Sequence, residues 1–190
     1  MLSGLAKLLL RIGGWTGVGV VPDEPQAIFI AAPHTSNWDG IWALVFKVSI
    51  GLEVHFFAKH SLFWFPLGTV LRALGGIALD RTRAGTAVQQ VVSAFEENDH
   101  FNFALAPEGT RRLTRGWKSG FYRMAEGANV PVFLCFLDYK NKRLGIGPKL
   151  ELSGDPGADI QFFQDYYSGI TGRWPEKASP VVLDLESGQT

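Results

Sequence analysis

One cysteine, Cys135, in 190 residues leaves no partner for an internal disulfide. It lies inside Val132-Phe133-Leu134-Cys135-Phe136-Leu137, an apolar run of strand character, so its expected role is a core thiol. A chain without disulfides fits an intracellular setting. Net charge is absent too. The 18 Lys and Arg balance 18 Asp and Glu, which removes the global electrostatic case for nucleic acid as a partner. No stretch is long and apolar enough to span a bilayer. The N-terminus lacks the form of a signal peptide, because Lys7 and Arg11 interrupt its apolar residues and no small-residue cleavage site follows. Catalytic signatures are missing as well. There is no G-x-S-x-G elbow, HExxH, Cys/His metal spacing, P-loop or G-x-G-x-x-G. The expectation is therefore no metal, no cofactor and no enzyme nucleophile.

What is present is apolar and aromatic. Hydrophobic residues make up 46% and aromatics 13%, with six Trp and fourteen Phe. The length suits a single domain over 1–190, long enough to bury a real core. Leu2, Leu5, Leu9 and Ile12 recur at helical spacing, so residues 1–12 read as an amphipathic helix. Its basic residues suit a membrane interface, and its apolar face suits packing on the domain; both remain open. Strands are expected over 27–32, 53–58, 77–79, 101–105 and 130–139, with a short edge strand over 143–147. Helices are expected over 37–49, 62–74, 84–98, 118–127 and 159–170. Residues 179–190 carry no strong pattern. Strands alternating with helices predict an α/β fold, a mixed and mostly parallel sheet flanked by helices on both faces. The aromatic run Leu62-Phe63-Trp64-Phe65-Pro66-Leu67 suits the core, an acyl-chain wall or a membrane contact.

Two stretches at strand ends carry the chemistry. In Ala32-Pro33-His34-Thr35-Ser36-Asn37-Trp38-Asp39, a strand hands over to a helix, where open α/β sheets bind ligands. Asp39 can accept the Nδ1–H of His34 and leave the other ring nitrogen as a base. Ser36 and Asp39 also spell a helix capping box, so Asp39 can instead be a cap. In Ala106-Pro107-Glu108-Gly109-Thr110-Arg111, Gly109 allows close backbone approach and an N–H for an oxyanion, and Arg111 can fork onto a phosphate. Arg72, Arg81, Arg83, Arg112, Arg115, Lys118 and Arg123 gather around these loops. They form a local positive field for a phosphorylated substrate, or a solvated basic face. Lys59, at a strand end, reads as an anion contact or as a surface lysine.

Together these stretches resemble the lysophospholipid acyltransferases, the 1-acylglycerol-3-phosphate O-acyltransferase family. That family's H-x4-D motif matches His34 to Asp39, with Ser36 in its place. Its glycine–apolar–acidic–Arg motif matches Gly76-Ile77-Ala78-Leu79-Asp80-Arg81. Its F-P-E-G-T-R motif matches Ala106 to Arg111, and its V-P-apolar motif matches Val130-Pro131-Val132. A lone H-x4-D is weak, but four motifs in order over about a hundred residues are specific. The sequence departs at Pro33, where Asn is usual, and at Ala106, where Phe is usual.

The resemblance implies a glycerolipid acyltransferase-like fold, with acyl-CoA or acyl-carrier protein as co-substrate. It also implies a lysophospholipid or related lipid acceptor and a membrane surface as partners. His34 and Asp39 would activate the hydroxyl. Ser36, Arg81, Glu108, Gly109, Thr110 and Arg111 would line the substrate site, with Lys59, read from its place at a strand end, beside them. The expected location is cytoplasmic, peripheral on the inner face of the membrane. A non-catalytic lipid- or acyl-carrier-binding protein and an acyl-thioester or lipid hydrolase are the alternatives.

Overall fold

Strand β2 (Gln26–Ala32) lies at the centre of a seven-stranded sheet and is nearly all apolar. Its side chains alternate between two cores, as the two-residue strand period requires. Ile28, Ile30 and Ala32 enter one core; Ala27 and Phe29 enter the other. A strand covered on both faces has no polar side to present, hence the continuous apolar run. The computed structural model describes residues 2–79 and 86–184.

In chain order the further elements are α1 (Leu2–Ile12), β1 (Thr16–Val18), α2 (Asn37–Ile50), β3 (His55–Lys59), α3 (Leu67–Ala73), β4 (Gly76–Leu79), α4 (Thr86–Glu97) and β5 (Phe101–Leu105). There follow β6 (Trp117–Lys118), α5 (Gly120–Ala128), β7 (Val132–Asp138), β8 (Arg143–Leu150), α6 (Pro156–Tyr167) and β9 (Leu183–Asp184). The sheet order is β1-β8-β7-β2-β5-β3-β4, with only the β7–β8 pair antiparallel. Residues from α1 and α2, among them Leu10 and Phe46, build one core. Val91 of α4, Phe121 of α5 and Phe163 of α6 build the other. The expected α/β fold, mostly parallel with helices on both faces, is the observed one. Among the described residues no helix is long and apolar enough to cross a membrane.

The structure departs from the sequence reading at several places. Residues 143–147 are not an edge strand. The strand runs to Leu150 and is covered by β1, because Gly145 lets the chain come close: a Cβ there would sit 2.1 Å from the Val18 carbonyl oxygen. The helix expected over 62–74 begins only at Leu67. Residues 60–62 form a separate 3-10 turn, and Gly68 lies against the Phe63 backbone. Helix α6 starts three residues early, at Pro156, because Asp155 caps it by accepting from the Gly157 and Ala158 N–H groups. Part of the patternless C-terminus is tied down, with β9 pairing in parallel with β6. The helix expected from 84 is described from Thr86 onward.

Three parallel strands, β7, β2 and β5, end side by side, so the segments after Ala32, Leu105 and Asp138 meet at one crevice. Helix α6 holds the C-terminal segment over that crevice. Tyr167 donates to the carbonyls of Ile30 at 3.2 Å and Cys135 at 2.9 Å, while Phe163 is fully buried against Trp117 and Phe121. Phe163→Ala should therefore cost about 3–5 kcal/mol of stability, the usual loss for a buried aromatic. Chemical denaturation checks this; a loss under about 1 kcal/mol would show that α6 is not seated as described.

Candidate active site

His34 stands two residues beyond β2 and Asp39 in the first turn of α2. Ser36 is the N-cap of α2. Its hydroxyl accepts from the Trp38 N–H at 3.2 Å, and Asp39 answers by accepting from the Ser36 N–H at 2.8 Å. The same Asp39 oxygen accepts from the Thr35 N–H at 2.7 Å and lies 3.2 Å from His34 Nδ1. The sequence offered the cap and the histidine partner as alternatives; Asp39 is both. One carboxylate closes the turn and presents itself to the ring because four residues separate them across the tight start of a helix.

Its other oxygen accepts the Tyr139 hydroxyl at 2.7 Å. Burial pushes the Asp39 carboxyl up. The hydrogen bonds from His34, Tyr139, Ser36 and Thr35 outweigh it and hold the group below its ordinary value. Asp39 is thus ionised, and an ionised acceptor at Nδ1 requires the proton on that nitrogen. Nε2 then carries the lone pair. The His34 side chain keeps 25% of its exposure against 3% for Asp39, so the ring reaches solvent while its anchor does not. The Tyr139 phenol, raised by burial and by Asp39, stays protonated and remains a donor.

Glu108 is the second buried carboxylate, 1% exposed. It accepts from the His34 N–H at 2.5 Å and from the Ser179 N–H at 3.2 Å. It therefore ties the loop after β5 to the His34 loop and to the C-terminal segment. Ser179 is held further by Thr114, whose hydroxyl is 2.7 Å from its own. Gly109 takes a positive φ of 64°, which glycine tolerates. Its N–H, however, donates to the Ala106 carbonyl at 3.0 Å and closes the turn. The oxyanion role expected of that N–H is withdrawn, because its hydrogen is already committed. Thr110 accepts from the Arg112 N–H at 3.4 Å, and Arg111 is exposed on the same loop. The stem of Lys118 lies against Gly109, where a Cβ would meet it at 3.0 Å. Lys59 is exposed at the end of β3. Arg81 lies outside the described residues, as do Asp80 and Arg83.

Three further residues join the site without having been singled out from sequence. Tyr139 had a readable signal, since it closes a central strand next to β2 and points chemistry at the same sheet end. Ser179 and Arg173 had none, because they lie in the irregular segment after α6. That segment is pinned over the site: Tyr139 N–H donates to Thr171 at 2.9 Å, and Trp174 N–H donates to the Thr35 hydroxyl at 3.2 Å. Cys135 is half-buried and packs against the core that holds Phe29 and Phe133; burial pushes its thiol up to about 12, far from a thiolate at neutral pH. Among the described residues no three His, Cys, Asp or Glu side chains gather to hold a metal. A cleft of about 480 Å³ between α1, β1 and α2, floored by Leu10, Trp15 and Phe46, is lined by none of the residues named above for the site.

Comparison with known proteins bears on this geometry. The family described as Acyltransferase matches residues 16–136, which include both stretches. No curated protein matches the chain. Among solved structures, the 1-acyl-sn-glycerophosphate (LPA) acyltransferase PlsC from Thermotoga maritima is similar in fold. The TM-score is 0.61 and the identity 17%, over 91% of this chain and 79% of that one.

Glu108 makes a testable contribution to stability. Burial raises its carboxyl above the ordinary value of 4.5, against the His34 and Ser179 groups that favour the charged form. With the folded value above the unfolded one, the folded state alone holds the proton in a window starting at about pH 4.5. Stability is therefore lost as pH rises through that window. Glu108→Gln abolishes this dependence and leaves one of two buried N–H donors unpaired, a cost of about 1–3 kcal/mol. The stability advantage of wild type over the variant should shrink as pH rises from about 4.5. A pH-independent difference would contradict the assignment.

Proposed function

The chain belongs to the acyltransferase family, and from that premise we propose that it moves a fatty acyl group from acyl-CoA or acyl-carrier protein to the hydroxyl of a lysophospholipid-type acceptor. The observation that carries the reading is the His34–Asp39 contact at 3.2 Å, with Asp39 saturated by other donors and, among the described residues, no hydrogen bond on the outer ring nitrogen. The acceptor hydroxyl gives its proton to His34 Nε2. Its oxygen attacks the thioester carbonyl, the C–O bond forms and the C–S bond breaks. The leaving thiolate takes the proton back from the imidazolium. Asp39 holds the ring and its tautomer and offsets the charge that forms. No enzyme nucleophile takes part in this scheme. Arg111, exposed beside the site, receives the acceptor's phosphate, with Lys118 adjacent.

The acceptor is a lipid, and the exposed apolar residues suit a membrane interface. Helix α1 packs on the domain through Ala6 and Leu10, yet leaves Leu2, Leu5, Leu9 and Ile12 exposed, beside Lys7 and Arg11. The buried side of the helix accounts for packing, and the exposed side suits docking. Trp64 and Phe65 are exposed at 59% and 84%, so the aromatic run is not core. Rings of this kind sit well at the headgroup level.

His34→Ala should lower turnover by about 10²–10⁴-fold, the usual contribution of a general base, with the fold intact. Asp39→Asn should lose most activity with His34 still present, since an amide is a poorer acceptor for the ring. Transfer of labelled acyl groups to lysolipids, with free fatty acid counted in parallel, checks both. Near-normal transfer by His34→Ala would sink the mechanism, and free acid as the sole product would make the protein a hydrolase. For the membrane, Leu5→Ser with Ile12→Ser spares the buried face of α1. Burial of each such side chain contributes about 1.5–3 kcal/mol, so vesicle partitioning should fall at least tenfold. Unchanged co-sedimentation with vesicles would remove α1 from the interface.

A further inference from the structure

The segment after α6 carries an arginine that none of the four motifs includes. Arg173 lies between two fixed points. On one side, Gly172 is pressed against Thr35, where a Cβ would come within 2.9 Å of its hydroxyl. On the other, the Trp174 N–H is bonded to that same hydroxyl. The guanidinium is 5.5 Å from the centre of the Trp38 ring and 5.7 Å from that of Trp174. It also reaches the Tyr139 side chain, whose hydroxyl holds Asp39. Two indole faces fix such a group at little further entropic cost.

Two more cations stand on the same aromatic cluster. Lys142 lies 4.9 Å from the Trp15 ring and 6.0 Å from the Tyr139 ring, and Lys177 lies 5.4 Å from the Trp174 ring. Among the described residues, none of the three is within 4 Å of a carboxylate. The nearby acids are engaged or outside the cluster. Asp39 is committed to His34, Tyr139 and the α2 cap, and Asp138 accepts from its own turn and from Thr171. Glu176 is exposed in the next turn. Three cations fixed on aromatic faces, with no bonded anion, make a site for a phosphorylated ligand.

Its placement says which ligand. Sheet order puts β5 on one side of β2 and β7 on the other. Arg111 follows β5, and Tyr139 follows β7. Thr171, two residues before Arg173, accepts from the Tyr139 N–H and so places Arg173 on the β7 side of His34, whereas the basic loop follows β5; the segment crosses to Glu108 only at Ser179. Acyl transfer brings two phosphorylated molecules to one base. We propose that Arg173, with Lys142 and Lys177, binds the phosphate groups of the acyl donor, leaving the Arg111 side to the acceptor. The site rests on the acyl-transfer reading for its choice of ligand.

Calorimetry of coenzyme A binding to the whole protein tests it without turnover, with phosphate-free pantetheine for comparison. R173Q should weaken coenzyme A about tenfold to a hundredfold relative to pantetheine, the loss of one charge-assisted contact. K177Q should show a smaller loss in the same direction. In kinetics, the preference for an acyl-CoA over the matching acyl-pantetheine should fall by a similar factor, with the acceptor KM steady. Unchanged coenzyme A affinity in R173Q overturns the proposal, as does a wild type that binds no coenzyme A. An equal loss with pantetheine overturns it too, by tracing the effect to the Trp38–Trp174 packing. So does a rise confined to the acceptor KM, or a loss confined to anionic vesicles. Arg173-dependent coenzyme A binding with no acyl transfer by wild type would instead refute the transferase reading and leave this site standing.

Discussion

A single carboxylate, Asp39, holds the site together. It accepts two backbone N–H groups, an imidazole and a phenol while almost wholly out of water. A buried charge is costly unless every lone pair is used, and here burial alone would push the group toward neutrality. The donors reverse that balance. They come from two pieces of local structure: His34, Thr35 and Ser36 from the loop after β2, and Tyr139 from the end of β7, with Asp39 itself in the first turn of α2. The ionised state of Asp39 and the folded arrangement of those pieces therefore depend on one another.

Glu108 plays the complementary part on the other side of His34. One of its oxygens accepts from the His34 N–H, so the ring is fixed at its Nδ1 by one buried acid and at its main chain by another. Because Glu108 also takes the Ser179 N–H, the segment after α6 is linked to the same residue. Thr35 extends this linkage through its hydroxyl, bonded to Trp174. The His34 loop is thus clamped by long-range contacts, although its own hydrogen bonds are local. For the proposed base, precise placement is worth orders of magnitude in rate, a physical reason for so many constraints on one loop.

Much of this was legible in the chain. The apolar run Ala27 to Ala32 announced a strand covered on both faces, and the strand Phe101 to Leu105 was read to the residue. The pairing of His34 with Asp39 followed from their spacing at a helix start. The backbone-directed grip of Glu108 did not, because nothing local says which N–H a buried acid will meet. Gly109 misled for a related reason: a glycine in a tight turn spends its own N–H on closing the turn. Thr16 to Val18 escaped notice because three residues cannot show a period, and their pairing depends on Gly145, well over a hundred residues away in sequence. The Arg173 cluster lies where the chain has no repeating pattern, and only the fold brings it beside Tyr139.

The central claim is that Asp39 holds His34 in the tautomer that leaves Nε2 as the base. Long-range proton–nitrogen NMR of the His34 ring, selectively labelled, reports that tautomer directly in the neutral imidazole. The account predicts a protonated Nδ1 and an unprotonated Nε2 in wild type. A ring protonated predominantly on Nε2 would contradict it, since the nitrogen facing the substrate would then have no lone pair to accept the hydroxyl proton.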